Sequence, residues 1–221
     1  MKVGTDSIML GSWVQPNSAQ RILDIGTGSG LLSIMLAQKA QDECVIDGLD
    51  IDAAAILQAK SNAENSPWAQ QLTFYHTSLQ HFACSNSYDL IVCNPPYFPV
   101  NTSANIASTA KNRHNARQTI ELDHLTLLQA VTSHLSIDGR FCCVLPSDVA
   151  KVFIVDAESA GLYCSLELQV QSKHNNHVTR LLLEFNRVKK IKTSELLSIY
   201  NCSGSYSKKY VALCKDYYFN F

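Results

Sequence analysis

A short apolar strand that runs directly into a glycine-rich turn is the feature that most constrains the fold of this chain. The strand covers 21–24, the turn is Asp24-Ile25-Gly26-Thr27-Gly28-Ser29-Gly30, and apolar residues at helical spacing follow over 31–39. Glycines let a chain leave a strand sharply and let a ligand approach the backbone. This succession of strand, glycine turn and helix is typical of α/β sheets that bind a ligand at the turn.

Strands and helices alternate along the rest of the chain. The hydrophobic spacing predicts strands at 45–50, 72–76, 88–93 and 140–145, helices at 52–65, 122–135 and 147–160, and two final strands at 162–170 and 178–185. The alternation indicates βαβ units in a mostly parallel sheet, and the final pair indicates an antiparallel addition. We therefore predict an α/β fold with a doubly wound, seven-stranded mixed sheet in a single domain.

Composition excludes several classes of protein. Hydrophobic residues make up 46% of the 221 residues and charged residues 17%, as in globular domains. No apolar run has the length of a bilayer span, and no signal peptide precedes the first strand, so we expect a cytoplasmic protein without a membrane partner. The eight cysteines include no CxxC pair, and four of them lie in or beside strand-like apolar runs, which favours reduced thiols. The histidines lack ligand spacing, so we expect no metal.

Charge is distributed unevenly along the chain. Residues 1–110 carry four Lys or Arg against nine Asp or Glu, whereas residues 111–221 carry fourteen against ten. A basic half can indicate a face that meets a polyanion, although an uneven solvated surface would look the same. Lys189, Lys190 and Lys192 form a basic run that could contact phosphates or could lie at a solvated strand end.

The glycine turn differs from a dinucleotide-binding turn. Its spacing is G-x-G-x-G instead of G-x-G-x-x-G, and Asp24 lies two residues before the first glycine. That acid would repel a pyrophosphate but suits a ligand with an ammonium group, such as the methionine part of S-adenosylmethionine. Asp50 ends the second strand, where a carboxylate can accept hydrogen bonds from both ribose hydroxyls of a nucleoside cofactor.

A second motif, Asn94-Pro95-Pro96-Tyr97, follows the fourth strand. Proline fixes its own φ and holds the preceding residue extended, so the Asn94 amide oxygen and the Pro95 carbonyl can point one way. Two such acceptors suit the two hydrogens of a planar amino group, and Tyr97 offers a ring on which a base can stack. Both motifs follow strands, so they are expected at the same edge of the sheet.

The two motifs together resemble the class I, Rossmann-like, S-adenosylmethionine-dependent methyltransferases that modify amino groups. Longer segments resemble the bacterial tRNA1(Val) adenine-N6 methyltransferase family, whose target is the adenosine beside the anticodon, at position 37. These segments are residues 1–6 (MKVGTD), 23–35 (LDIGTGSGLLSIM), 66–69 (SPWA), 94–97, 116–117 and 122–124, with the aromatic end at 217–221. The resemblance implies a monomeric tRNA-modifying methyltransferase domain over 1–221. In it, 98–120 is a substrate-facing loop and 162–221 forms the C-terminal antiparallel strands and tail.

The resemblance also implies roles for individual residues. The catalytic residues would be Asn94, Pro95 and Tyr97, and the RNA-binding residues would be Arg113 and Arg117. The cofactor-binding residues would be Lys2, Thr5, Asp6, Asp24, Gly26, Gly28, Asp50, Ser78 and Asn94. Ser78 stands where family members commonly have an aspartate that binds the adenine amino group; a hydroxyl can accept the same bond without charge. Family members also carry residues before Met1 that would help to cover the active site.

Three other functions remain open from the sequence. The same acceptors fit the carboxamide of a protein glutamine, although glutamine-N5 methyltransferases usually carry an extra N-terminal helical domain. A non-catalytic module that binds RNA or the cofactor is the second alternative. A nicotinamide dehydrogenase is the third, but its glycine spacing differs and it has no use for Asn94-Pro95-Pro96-Tyr97.

Overall fold

The structure is a computed structural model of the chain, and it describes residues 4–84, 87–95 and 124–218. Eight strands form one sheet in this part of the chain. They are β1 (Arg21–Ile25), β2 (Val45–Asp50), β3 (Leu72–His76), β4 (Tyr88–Cys93), β5 (Leu135–Pro146), β6 (Tyr163–Lys173), β7 (Val178–Asn186) and β8 (Thr193–Tyr200). Their order across the sheet is β3-β2-β1-β4-β5-β7-β6-β8.

Helices cover both faces of this sheet. They are α1 (Thr5–Trp13), α2 (Leu31–Ala37), α3 (Ala53–Glu64), α4 (His124–His134), α5 (Ser147–Ser159) and α6 (Lys208–Cys214), with short 3₁₀ turns at Ala69–Gln71 and Leu79–His81. No helix in the described ranges has both the length and the apolar composition that a membrane span requires.

The core has two main layers because successive side chains of a strand point to opposite faces. On one face, Leu23 and Ile25 of β1 pack with residues of α4 and α5, including the buried ring of Phe153. On the other face, Ile22 of β1 packs with residues of α1, α2 and α6, including Leu10. The predicted doubly wound α/β architecture is therefore confirmed.

The C-terminal part differs from the prediction. β1 to β5 are mutually parallel where they pair, and β7 runs antiparallel between β5 and β6, as expected for a final pair of strands. However, β8 adds an eighth strand that runs parallel to β6, so the predicted count of seven is wrong and the C-terminal region is not entirely antiparallel. The sequence of β8 did not indicate a strand because its first four residues are exposed on an edge strand and its side chains do not alternate in polarity.

Helix α1 was also not predicted from the sequence. Its nine residues include Thr5, Ser7, Gly11 and Ser12, which are poor helix formers, so the local pattern is weak. The helix is stabilised by packing instead, since Met9 and Leu10 are buried.

Candidate active site

The two sequence motifs lie side by side at one edge of the sheet. β1 and β4 are parallel neighbours, and Ile25 is in register with Cys93. Gly26 and Asn94 therefore leave adjacent strands at the same level, and neighbouring strands are about 4.8 Å apart. This edge holds the carboxyl ends of β1 to β5, where open α/β sheets bind their ligands.

The glycine turn presents its backbone to the space above the sheet edge. Gly26 and Gly28 have φ values of 71° and 57°, in the left-handed region that favours glycine. The backbone N–H groups of Gly26 and Thr27 both donate to the Leu49 carbonyl at 2.9 Å, which ties the turn to β2. A Cβ added at Gly26 would meet nothing within 4 Å, so a ligand can approach the backbone there.

Asp50 joins the end of β2 to this turn. Its Oδ2 accepts the backbone N–H of Gly28 at 2.9 Å, and its Oδ1 accepts the backbone N–H of Asp52 at 2.9 Å. Each carboxylate oxygen has a further lone pair. The two oxygens are thus held in fixed positions and can still accept hydrogen bonds from a vicinal diol.

Asp24 is buried beneath the glycine turn. Its Oδ2 accepts hydrogen bonds from the hydroxyls of Thr27 at 2.8 Å and Ser33 at 2.6 Å. Burial raises the pKa of Asp24 to about 6, although the two hydroxyl hydrogen bonds act in the opposite direction. A cation bound above the turn would favour the charged form of this carboxyl group.

An open cleft of about 500 Å³ lies at the ends of β2 and β3 and begins at Ile51, the residue after Asp50. Its lining residues include Ile51, His76, Thr77, Ser78 and His81. The Ser78 hydroxyl shares a hydrogen bond of 2.8 Å with His81 Nδ1, and it retains capacity to accept another. The cleft is wide enough for a flat heterocycle next to the groups that can hold a ribose.

Asn94 is oriented by a residue of the first helix. Its Nδ2 donates to the Ser7 hydroxyl at 2.8 Å. Among the described residues, its Oδ1 has no hydrogen-bond partner, which leaves the oxygen as the available acceptor. The following residue, Pro95, is buried and restricts the backbone of Asn94.

Contacts at both ends hold helix α1 in place. Near its start, Asp6 forms an ion pair of 3.0 Å with Arg180 of β7. At its end, Lys39 Nζ donates to the carbonyls of Gly11 at 2.5 Å and of Val14. Burial lowers the pKa of Lys39 to about 8. These contacts fix the turn that carries Ser7.

The structure brings most of the predicted site residues to this one edge. They are Asp6, Asp24, Gly26, Gly28, Asp50, Ser78, Asn94 and Pro95. Thr5 is exposed in the first turn of α1. Four predicted residues lie outside the described part of the chain, namely Lys2, Tyr97, Arg113 and Arg117. No cluster of three potential metal ligands occurs among the described side chains.

The sequence alone did not identify four residues that support the site. Thr27 lies inside the glycine turn and Ser33 in the helix that follows it, and this closeness to Asp24 in the sequence was the only available signal. Ser7 lies in a helix that was not predicted, and Arg180 meets Asp6 across 174 positions, a separation that carries no local signal.

Comparisons with known proteins agree with this fold. The family model described as "Methyltransferase small domain" matches residues 2–112. A predicted O-methyltransferase, protein Atu636 from Agrobacterium tumefaciens, superposes with a TM-score of 0.72 at 14% identity, over 96% of each chain. The N-methyltransferase NodS from Bradyrhizobium japonicum, in complex with S-adenosyl-L-homocysteine, gives 0.57 at 15% identity, over 80% of this chain and 82% of that one. These likenesses establish a Rossmann-like methyltransferase fold.

Curated relatives match over the full length. The tRNA1(Val) (adenine(37)-N6)-methyltransferase of Pseudoalteromonas atlantica is 47% identical over 100% of this chain and 93% of its own. The protein of the same name from Pectobacterium carotovorum is 42% identical over 99% of this chain and 87% of its own, and that from Salmonella typhi is 37% identical over 99% and 88%. This chain belongs to the tRNA1(Val) (adenine(37)-N6)-methyltransferase family.

Proposed function

We propose that this protein transfers a methyl group from S-adenosylmethionine to N6 of the adenine at position 37 of tRNA1(Val). The names of its relatives provide the substrate. The observation that carries the proposal is the position of Asn94 beside the glycine turn, at the ends of two adjacent strands. This arrangement suits transfer from a cofactor on β1 to an amino group held at β4.

The residues at the edge fit the cofactor. Backbone approach is open at Gly26, and Asp50 has two fixed oxygens with free lone pairs for the ribose hydroxyls. The buried charge of Asp24 favours the ammonium of the methionine part, and the hydroxyl of Ser78 can accept a bond from the adenine amino group. When bound, S-adenosylmethionine supplies an electrophilic methyl carbon on a sulfonium.

Asn94 and Pro95 hold the target amine. The amide oxygen of Asn94, which has no hydrogen-bond partner among the described residues, accepts one hydrogen of the adenine amino group, and the Pro95 carbonyl accepts the other. Both hydrogens are then directed away from the cofactor, which draws the nitrogen toward sp3 character and aims its lone pair at the methyl carbon. No general base need act before the transfer, because positioning supplies most of the rate enhancement.

Three further residues act on the RNA. The Tyr97 ring stacks on the extruded base, which stabilises it by roughly 1–3 kcal/mol. Extrusion costs less from an anticodon loop than from a duplex, so the loop adenine is the accessible target. Arg113 and Arg117, on the substrate-facing loop 98–120, contact the RNA backbone. The protein acts as a cytoplasmic monomer, with residues 1–221 as one methyltransferase domain.

Methyl transfer to defined RNA tests this proposal. Purified protein is incubated with labelled cofactor and an unmodified tRNA1(Val) transcript, and nucleosides are analysed after digestion. We expect N6-methyladenosine in this transcript and none in a matched transcript with guanine at position 37. The proposal fails if no N6-methyladenosine forms. It also fails if, after incubation of a cell extract with labelled cofactor and protein, the label survives ribonuclease and is found in a protein glutamine.

A further inference from the structure

Two basic segments in the C-terminal part lie at the same sheet edge as the candidate active site. Pro146, at the carboxyl end of β5, pairs with Arg180 near the start of β7, so the hairpin that precedes β7 projects beyond that edge. Lys173 at the end of β6 is in register with Tyr200 at the end of β8. The β6–β7 hairpin and the turn after β8 therefore lie next to each other.

These segments carry a group of exposed basic side chains, which we call the basic tip. Its members are Lys173, His174, His177, Lys208 and Lys209. Within the described residues, none of them forms an ion pair with a carboxylate. The three lysines therefore give this part of the surface positive charge that no carboxylate of the described residues pairs with.

The basic run at 189–192 differs from the basic tip in its location and in its contacts with other side chains. It lies at the opposite sheet edge, after β7 and before β8. Lys189 pairs with Glu158 at 3.1 Å, and Lys192 pairs with Glu167 at 2.5 Å. Lys190 Nζ donates to Asn186 Oδ1 at 2.8 Å. Of the two roles open from the sequence, phosphate contact or a solvated strand end, these contacts favour the strand end.

Stacked tyrosines make the base of the basic tip rigid. The rings of Tyr200 and Tyr206 stack with centroids 5.1 Å apart, and those of Tyr206 and Tyr210 stack at 5.4 Å. Ser207 caps α6 by accepting the Tyr210 N–H at 3.1 Å, which fixes the turn that carries Lys208 and Lys209. A pre-organised surface loses little entropy when it binds a partner.

The position of the basic tip determines which part of an RNA it can meet. β6 is three strand steps from β4 and β8 is four, so the tip lies roughly 14–19 Å across the sheet from Asn94. That separation is too large for the target nucleotide itself. It suits phosphates of the stem that adjoins the methylated loop.

We propose that the basic tip binds the phosphate backbone of the tRNA anticodon stem and so orients the loop over the active site. This proposal rests on the proposed function for its substrate. Base-specific readout is not needed, because phosphate contacts fix register and orientation without reading sequence. Tyr206, two residues before Lys208, is 38% exposed, and this part of the ring can contact the sugar-phosphate chain.

The test compares a triple variant, Lys173→Gln with Lys208→Gln and Lys209→Gln, with wild-type protein on full-length tRNA. We expect KM for tRNA to rise by at least about tenfold, with kcat at saturating tRNA and cofactor affinity unchanged. The slope of log Kd for tRNA against log salt concentration should decrease by about 0.7–0.9 for each phosphate contact that is lost. The control variant, Lys189→Gln with Lys190→Gln, removes two positive charges at the opposite edge and should leave KM and slope unchanged.

A second substrate separates the stem from the loop. With a short RNA that contains only the anticodon loop, the triple variant and the wild type should have the same KM. An equal rise in KM on the short RNA would overturn the assignment to the stem, and an unchanged salt slope on full-length tRNA would overturn the proposal entirely. The Kd for tRNA is measured independently of methyl transfer, so the two proposals can fail separately. If the wild-type protein binds tRNA but does not methylate it, only the proposed function is refuted.

Discussion

The amide nitrogen of Asn94 donates a hydrogen bond of 2.8 Å to the hydroxyl of Ser7. A residue near the start of the chain thereby sets the orientation of the side chain that we propose as the main acceptor for the target amine. Asp6, one residue before Ser7, is tied to Arg180, so this turn is anchored to the C-terminal half of the sheet. Catalysis is thus predicted to depend on helix α1 although Ser7 lies 87 positions before Asn94 in the sequence.

Replacement of Ser7 by alanine should slow methyl transfer without weakening cofactor binding. Loss of one neutral hydrogen bond, about 1 kcal/mol, corresponds to roughly a fivefold decrease in kcat. Ser7→Thr keeps the hydroxyl and should restore most of the rate. A Ser7→Ala protein with normal kcat, or a Ser7→Thr protein as slow as Ser7→Ala, would show that this contact does not position Asn94.

Asp50→Ala should weaken the cofactor complex first. The substitution removes both proposed ribose acceptors and leaves the Gly28 N–H without its partner. Loss of these hydrogen bonds should weaken cofactor binding by about 1.5–3 kcal/mol. Calorimetry should therefore show roughly a 10- to 150-fold rise in the cofactor Kd. Asp52→Ala is a suitable control, since the Asp52 side chain caps α3 by accepting the Ala54 N–H at 2.9 Å. It should lower thermal stability slightly and leave the Kd within about twofold.

Cofactor affinity should fall as the pH decreases through about 6. The pKa of Asp24 in the free protein is raised by burial to about 6, and the bound ammonium favours the charged carboxylate, so binding must release a proton below that pH. The Kd should increase by up to about tenfold per pH unit below 6 in wild type. In Asp24→Asn, the Kd should be higher at pH 8 and nearly independent of pH from 5 to 8. A parallel pH dependence in both proteins would contradict this role.

Asp24 should add to the stability of the cofactor-free protein as the pH falls from about 6 to 3.8, whereas it should weaken cofactor binding as the pH falls. The folded-state pKa of Asp24 lies above its ordinary value of 3.8, so the folded chain binds more protons than the unfolded chain between pH 3.8 and 6. The Asp24 contribution to the free energy of unfolding therefore becomes more favourable as the pH falls through this window. Denaturant titrations of wild type and Asp24→Asn measure this contribution as their difference, and no change of that difference with pH would count against the buried carboxylate.

Gly48→Ala should destabilise the fold near the site. A Cβ there would lie 2.6 Å from the Phe74 ring and 2.9 Å from the Thr27 hydroxyl, which is itself bonded to Asp24. Overpacking of this kind costs about 1–3 kcal/mol. Combining the change with Phe74→Leu should restore part of the lost stability in a double-mutant cycle, whereas strictly additive losses would show that the ring is not the obstacle.

Local signals account for the parts of the structure that the sequence predicted. The glycine turn, Asp50 and Asn94 each lie at the end of an apolar strand that the sequence predicts. Because these strands are parallel, their ends meet at one edge of the sheet, and the three features lie together there. β8 was not foreseen because its exposed edge position removes the alternation on which strand prediction depends. The contacts of Ser7 and Arg180 were not foreseen because they are made by tertiary packing between residues that are distant in the sequence.

The most direct test of the account is a comparison of cofactor binding and single-turnover methyl transfer in Asn94→Ala. The amide oxygen of Asn94 is proposed to accept the target amine, and the glycine turn and Asp50 provide most of the cofactor contacts, so we expect the cofactor Kd to stay within about twofold of wild type. Loss of one transition-state acceptor predicts a decrease in the rate of transfer of at least about 100-fold. Transfer to adenine 37 at the wild-type rate would contradict the central claim that Asn94 presents the amine to the methyl group.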